Sequence, residues 1–169
     1  MIAYRPATPD DAAPLAAMGR TAFTETFGTL YAPADLQTFL DQAFGPDGLP
    51  AQLADPAYTI LIAADDARIV GYAKLGPVVF PGNWPADAIE LHQLYVLADA
   101  HGTGVGPALM DWATDAARAM SASQLVLSVF VDNHRARRFY ERRGFIDIGR
   151  YEFLVGDHVD EDRLMRLAL

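Results

Sequence analysis

The chain contains no cysteine. Disulfide frameworks, thiolate metal sites and cysteine nucleophiles are therefore excluded, and cysteine usage leaves the compartment open. No apolar run is long enough to cross a bilayer, so no membrane partner is expected. The opening Met1-Ile-Ala-Tyr-Arg-Pro6 lacks the charged-then-apolar build of a secretory signal, and cytoplasmic residence is the expectation. Positive charge is in deficit, with 13 Lys and Arg against 22 Asp and Glu and a net charge of −9. Nucleic acid needs basic surface, so it is not expected as a partner, whereas a cationic small molecule is compatible. There is no internal repeat, linker or low-complexity tract, and no metal site is expected.

What is present is apolar and evenly distributed. The 169 residues are 51% hydrophobic, enough for one globular domain over 1–169 with a sizeable core. Ile2 to Arg5 reads as a short strand. Thr8-Pro-Asp-Asp11 starts a helix through a capping residue, a proline and first-turn acids. That helix runs to Phe27 with Leu15, Met18, Ala22, Phe23 and Phe27 on one face, and Gly28 ends it. Pro33 to Phe44 is a second helix with Leu36, Phe39, Leu40 and Phe44 on one side, and Leu49 to Ala54 is a short helical turn. Tyr58 to Ala64 and Arg68 to Val79 form a hairpin around Asp65-Asp66-Ala67. Ile89 to Leu97 is a buried strand. A helix over 104–120 follows, with Val105, Leu109, Trp112, Ala116 and Met120 as its core face. Gln124 to Val131 is a strand, a helix capped by Asp132-Asn133 runs to Gly144, and Phe145 to Val155 and His158 to Leu169 are the last strands. The order is β-α-α-β-β-β-α-β-α-β-β, an α/β (α+β) chain with helices on both faces of a mixed sheet.

The centre of this order carries chemistry. Between the strand ending at Leu97 and the next helix lies His101-Gly-Thr-Gly-Val-Gly106. Glycines let a backbone approach a phosphate, and a helix N-terminus favours negative charge. No Walker lysine follows this turn, and a dinucleotide fingerprint would need glycine where Pro107 stands. A nucleotide-binding module is thereby disfavoured. The spacing present is His101-x-x-Gly104-x-Gly106. Downstream, Asn133-His-Arg-Ala136-Arg-Arg-Phe139-Tyr140-Glu-Arg-Arg-Gly144-Phe145 forms a second motif.

Both motifs resemble the GNAT family of N-acetyltransferases. The first matches its pyrophosphate loop, Gln/Arg-x-x-Gly-x-Gly/Ala. The second matches Asn-x-x-Ala-x-x-Phe/Leu-Tyr-x-x-x-Gly-Phe. Leu94-Tyr95-Val96 before the loop matches as well. His101 departs from the usual Arg or Gln, which affects one phosphate contact and not the backbone cradle. The resemblance implies a mostly antiparallel sheet, acetyl-CoA as cofactor and acetyl transfer to a primary amine of a small molecule, by a monomer or homodimer. The alternative within the same fold is a non-catalytic sensor of CoA or acyl-CoA. Phe23-Thr-Glu-Thr-Phe27-Gly-Thr-Leu-Tyr31, Pro33-Ala-Asp-Leu36 and Phe153-Leu-Val-Gly156-Asp157, with Asp162 and Met165 further on, look like a bacterial branch that includes polyamine N-acetyltransferases.

By this resemblance, His101, Gly102, Thr103, Gly104, Val105 and Gly106 hold the pyrophosphate, with Arg142 reaching the phosphates. The pantetheine arm pairs with Leu94, Tyr95 and Val96, where the central strand carries a bulge and splays from the next strand. Asn133 hydrogen-bonds the arm or simply caps its helix. Tyr140 is the family's general acid, since a phenol stays protonated at neutral pH; packing beside Phe139 is its other reading. Glu90 or His92, on one face of the central strand if that strand is regular, serves as the base directly or through water. Ser128 stands where some relatives carry a glutamate base. Phe27, Tyr31 and His92 line the acceptor site, and Glu25, Asp35 and Asp41 supply its carboxylates.

Overall fold

A computed structural model describes residues 1–169. Seven strands form one open sheet in the order β1-β2-β3-β4-β5-β7-β6. They are β1 (Ile2–Pro6), β2 (Thr59–Asp65), β3 (Arg68–Pro77), β4 (Ile89–Val96), β5 (Gln124–Phe130), β6 (Ile146–Val155) and β7 (His158–Ala168). All neighbours are antiparallel except β4 and β5. The helices are α1 (Ala12–Phe27), α2 (Pro33–Phe44), α3 (Leu49–Ala54), α4 (Val105–Ala119) and α5 (His134–Glu141). The expected order of elements is therefore observed, and the expected second strand of the hairpin stops at Pro77, short of Val79.

Local chemistry explains the ends. Thr8 and Asp11 form a capping box ahead of α1, with the Asp11 carboxylate accepting from the Thr8 N–H at 2.7 Å and from Arg5. Asn133 caps α5, its side-chain oxygen accepting from the Ala136 N–H at 3.2 Å. No helix is long and apolar enough to cross a membrane.

The two sheet faces carry separate cores. One packs α1, α2 and α3 over Ile60, Ile62 and Tyr72 through Leu15, Phe23, Leu40 and Phe44. The other packs α4 over Ala63, Ala73, Leu75 and Leu127. The buried stripe of α4 is Val105, Leu109, Met110, Ala113 and Ala117. This corrects the expected stripe: Trp112 and Ala116 are only half-buried, and Met120 is exposed beyond the helix end. The small Ala113 and Ala117 let α4 lie close to the sheet, and apolar size does not outweigh that fit. Gly71 completes the approach. A Cβ there would sit 2.9 Å from Val105 Cγ1 and 3.0 Å from the Tyr95 carbonyl oxygen. The first turn of α4 is thus pinned beside the end of β4.

The sheet opens where β4 meets β5. These strands pair only at Ile89↔Leu125 and Glu90↔Val126. On its other side β4 follows β3, with Leu75↔Leu91 and then Lys74↔Gln93, so His92 is one residue too many. This bulge bends β4 away from β5, as bulges do. It lies upstream of the expected position at Leu94–Val96.

Candidate active site

The opening between β4 and β5 is the floor of a cavity of about 610 Å³, lined by α1, β4, the glycine loop, β5, α5 and the β6–β7 pair. Antiparallel residues alternate between facing their neighbour and facing away. The Leu97 N–H bonds the Val70 carbonyl at 2.9 Å. Tyr95 therefore also turns its backbone to β3, and the backbone of Leu94 and Val96 turns to the gap. Apart from the Val96 carbonyl, which His101 takes at 2.9 Å, those groups form an unpaired strand edge in the cavity floor.

At one end of this edge lies the glycine loop. Gly102 and Gly104 have φ of +79° and +91°, and a Cβ on either would meet nothing within 4 Å. The glycines are there for a left-handed backbone and open space, not for close packing. Thr103, expected to hold the cofactor, is exposed and does not line the cavity; its N–H and hydroxyl both bond the Ala100 carbonyl. The amides of Gly102, Gly104, Val105 and Gly106 have no acceptor within the protein, and no side chain caps α4. Unpaired amides converging at a helix start with open space above them fit a pyrophosphate.

His101 occupies the position where the motif usually holds Arg or Gln. Its Nε2 lies 2.9 Å from the Val96 carbonyl, which can only accept, so Nε2 carries the proton. Its Nδ1 then accepts from Arg135, at 3.1 Å. His101 thus ties the loop to β4 and to α5, and its ring nitrogens are both engaged. Arg135 and Arg142 line the cavity, and the Arg142 guanidinium has no acidic partner. The oxygen of Asn133 is spent on its cap, leaving its NH2 group for the cavity.

Tyr140 lines the same cavity. Its ring is held edge-on against Phe139 and Phe145 at centroid distances of 5.4 and 5.7 Å. Its hydroxyl finds no partner in the protein, and burial pushes its pKa up to about 12. The packing and the chemical readings of this residue are therefore compatible.

His92 reaches the cavity wall and Glu90 does not. Although the strand is bulged, the two meet, with His92 Nδ1 3.2 Å from Glu90 Oε1. The other oxygen, Oε2, accepts from the Val79 N–H at 2.9 Å. His92 Nε2 lies 2.9 Å from the Pro77 carbonyl and so must donate. Its Nδ1 is then a bare lone pair unless a proton sits between it and Glu90. Burial raises the Glu90 pKa to about 7, against weaker opposing effects of the Val79 N–H and Lys74. Burial, and then Lys74, lowers His92 to about 4. Below about pH 7 a neutral carboxyl faces a neutral imidazole across 3.2 Å, with room for one proton between them. Lys74 lies behind the pair, buried, bonded to the Gln52 side-chain oxygen and 5.8 Å from the Tyr58 ring centroid. Sequence reasoning missed Lys74, because nothing in its neighbourhood marks an inward-facing lysine on a strand.

The far end of the cavity differs from expectation. Phe27 and Tyr31 do line it. The acids expected beside them do not: Glu25 accepts from the Ala98 N–H at 2.8 Å, Asp35 from the Asp157 N–H at 3.0 Å, and Asp41 from Arg20 and Gln37, both at 2.9 Å. Each is consumed by a turn or an ion pair. The carboxylates in the cavity are Asp160 and Asp162, both buried on β7. Their spacing of two along a strand was the available signal, since it puts both on one face.

The site can be set beside known proteins. The Acetyltransferase (GNAT) family model matches residues 20–145. An uncharacterized N-acetyltransferase of Mycobacterium tuberculosis is 36% identical over 155 residues, covering 92% of this chain and 96% of the relative. One of Lactobacillus delbrueckii subsp. lactis is 30% identical over 155 residues, covering 90% and 89%. The fold is similar to that of the PaiA N-acetyltransferase of Thermoplasma acidophilum in complex with coenzyme A, with a TM-score of 0.80 and 17% identity over 100% of this chain and 99% of that one. It is also similar to YncA, a putative acetyltransferase from Salmonella typhimurium with its cofactor acetyl-CoA, with a TM-score of 0.69 and 19% identity over 99% and 94%.

Proposed function

We propose, from the premise that this chain belongs to the acetyltransferase (GNAT) family, that it transfers the acetyl group of acetyl-CoA directly to a primary amine of a small, polyamine-like molecule. The observation that carries this reading is one cavity lined at once by the amide cradle, by Tyr140 with a free hydroxyl, and by His92 with a carboxyl group behind it. A sensor that only bound the cofactor would have no use for the last two.

Bound acetyl-CoA supplies a thioester carbonyl for the amine to attack and a thiol as leaving group. The amides of Gly102, Gly104, Val105 and Gly106 bind the pyrophosphate, and Arg142 and Arg135 add charge-assisted contacts. The Leu94 and Val96 backbone would hold the arm along the strand edge, where a free N–H could stabilise the carbonyl oxygen. An alkyl ammonium with a pKa near 10 must lose a proton before it attacks. The Glu90–His92 pair takes that proton at Oε1 and Nδ1, directly or through a water, once it has given up its own. Because the two groups share one proton, the titration belongs to the pair, and it falls near neutrality. Tyr140 would donate its phenolic proton to the departing sulfur, and the second proton that the nitrogen sheds as the amide forms would restore the phenol, directly or through water. Aromatic walls from Phe27 and Tyr31 exclude water from the acceptor side.

The experiment is an amine panel with acetyl-CoA, following free thiol and acetylated product together. Amine-dependent thiol release that Tyr140→Phe suppresses supports the reading. Tight binding of acetyl-CoA with no amine-dependent release from any member of the panel, spermidine included, favours a sensor and overturns it.

A further inference from the structure

Asp162 is a carboxylate without a counter-ion. It is 6% exposed and lines the cavity, yet no arginine, lysine or backbone N–H reaches it. Burial and the nearby Asp160 push its pKa up to about 6, and only the Ser128 hydroxyl draws it down. Asp160, by contrast, is held. Tyr31 donates to its Oδ2, and His158 Nε2 lies 3.0 Å from its Oδ1. The Tyr31 hydroxyl, buried and bound to that carboxylate, is pushed far up and stays a donor. A buried negative charge with no counter-ion is costly and calls for a cation from outside. The surroundings suit one. Phe130 stands across from Asp162 in the β5–β7 register. Phe27 meets Phe130 edge-on at 6.1 Å, and both line the cavity. Aromatic faces beside a carboxylate favour an alkyl ammonium over a hydrated metal ion.

The place of Asp162 in the sheet sets the length of the ligand. β7 is separated from β4 by β5. At about 4.8 Å per strand spacing, and with β4 splayed, the Asp162 and His92 backbones are at least about 10 Å apart. The His92 ring nitrogens are turned to Glu90 and to the Pro77 carbonyl, so Asp162 and His92 are placed to serve two separate ammonium groups.

We infer that Asp162, seated beside the Tyr31-held Asp160, is an anchor for a second cationic group of the acceptor, several methylene lengths from the amine that is acetylated. This rests on the acetyl-transfer reading and assigns its specificity. An acceptor with two ammonium groups enters with one on Asp162, which leaves the other beside His92. The contact contributes before the reaction begins and so acts mainly through KM.

The test compares hexamethylenediamine with hexylamine, which has the same chain and lacks the second charge. In the native protein kcat/KM for the diamine should exceed that for hexylamine by about 10-fold or more, the size of one charge-assisted contact. In Asp162→Asn, which keeps the shape and removes the charge, that ratio should collapse by about the same factor while coenzyme A affinity confirms an intact fold. Calorimetry of hexamethylenediamine binding to the coenzyme A complex should show the same loss without any turnover. Equal kcat/KM for the two amines in the native protein overturns the anchor. So does an unchanged ratio in the variant, which would place Asp162 at the reacting amine or nowhere. Absence of thiol release from every amine would instead end the acetyl-transfer reading, and calorimetry would still decide the anchor: diamine affinity equal in native protein and variant refutes it.

Discussion

Glu90→Gln is the substitution that separates the chemistry of the buried pair from its packing. The amide has the shape of the protonated acid. Its oxygen can accept from the Val79 N–H, and its NH2 can face His92 Nδ1 where the carboxyl Oε1 lies at 3.2 Å. The variant should therefore fold. Its stability should also change in a defined direction. The folded pKa of Glu90 is raised from 4.5 to about 7, so the folded chain holds more protons than the unfolded one between those values. The favourable contribution is complete below pH 4.5 and is lost as pH rises through 7. Integrated over about 2.5 units at 1.36 kcal/mol each, the loss is about 3 kcal/mol. His92, lowered to about 4, works oppositely below its ordinary value, so the effect must be read as the difference between native protein and variant. Chemical denaturation across pH should show that difference growing in the variant's favour from pH 4.5 to above 7. At the same time kcat/KM should drop by about 100-fold, and its acid limb near pH 7 should vanish. A variant that keeps the acid limb, or keeps near-native turnover, would refute the pair as base. A flat stability difference would refute the raised pKa.

Other substitutions probe the remaining parts. Tyr140→Phe should lower turnover by about 100-fold and leave coenzyme A affinity unchanged; near-normal turnover would return Tyr140 to packing alone. Gly104→Val should abolish coenzyme A binding with the fold retained, because φ of +91° is denied to valine and its branches fill the space over the loop; unchanged affinity by calorimetry would remove the cradle. Lys74→Met removes a charge that holds down both Glu90 and His92, so the acid limb of kcat/KM should move to higher pH, with activity lost first on the acid side. A profile that does not move would show that Lys74 only packs.

How much of this was readable in the chain depends on the range of the interactions involved. The glycine loop is a local device: strand, left-handed turn and helix start follow one another, and every residue needed is within a short stretch. The α5 motif is equally local, and Asn133 proved a cap on the oxygen side while keeping its NH2 for the cavity. The bulge at His92 was not legible at its true position, since register against Lys74 and Leu75 is settled between strands. The same holds for the acids. Glu25, Asp35 and Asp41 lie near the aromatic residues in sequence, but each finds a backbone N–H or an arginine closer than the cavity. Asp160 and Asp162 come from the last strand, brought beside α1 only because β7 inserts between β5 and β6. The α4 stripe was misplaced because the seam packed against the sheet takes the small Ala113 and Ala117, where hydropathy alone favours Trp112.

The most direct measurement is the acid limb of single-turnover acetyl transfer, followed by quenched-flow with acetyl-CoA and a cavity-sized diamine, in the native protein and in Glu90→Gln. The account predicts amine-dependent formation of one acetylated amine per thiol released, with a rate that rises through a pH near 7 in the native protein and shows no such rise in the variant. Product formation that is indifferent to Glu90 across that range, or thiol release without acetylated amine, would contradict it.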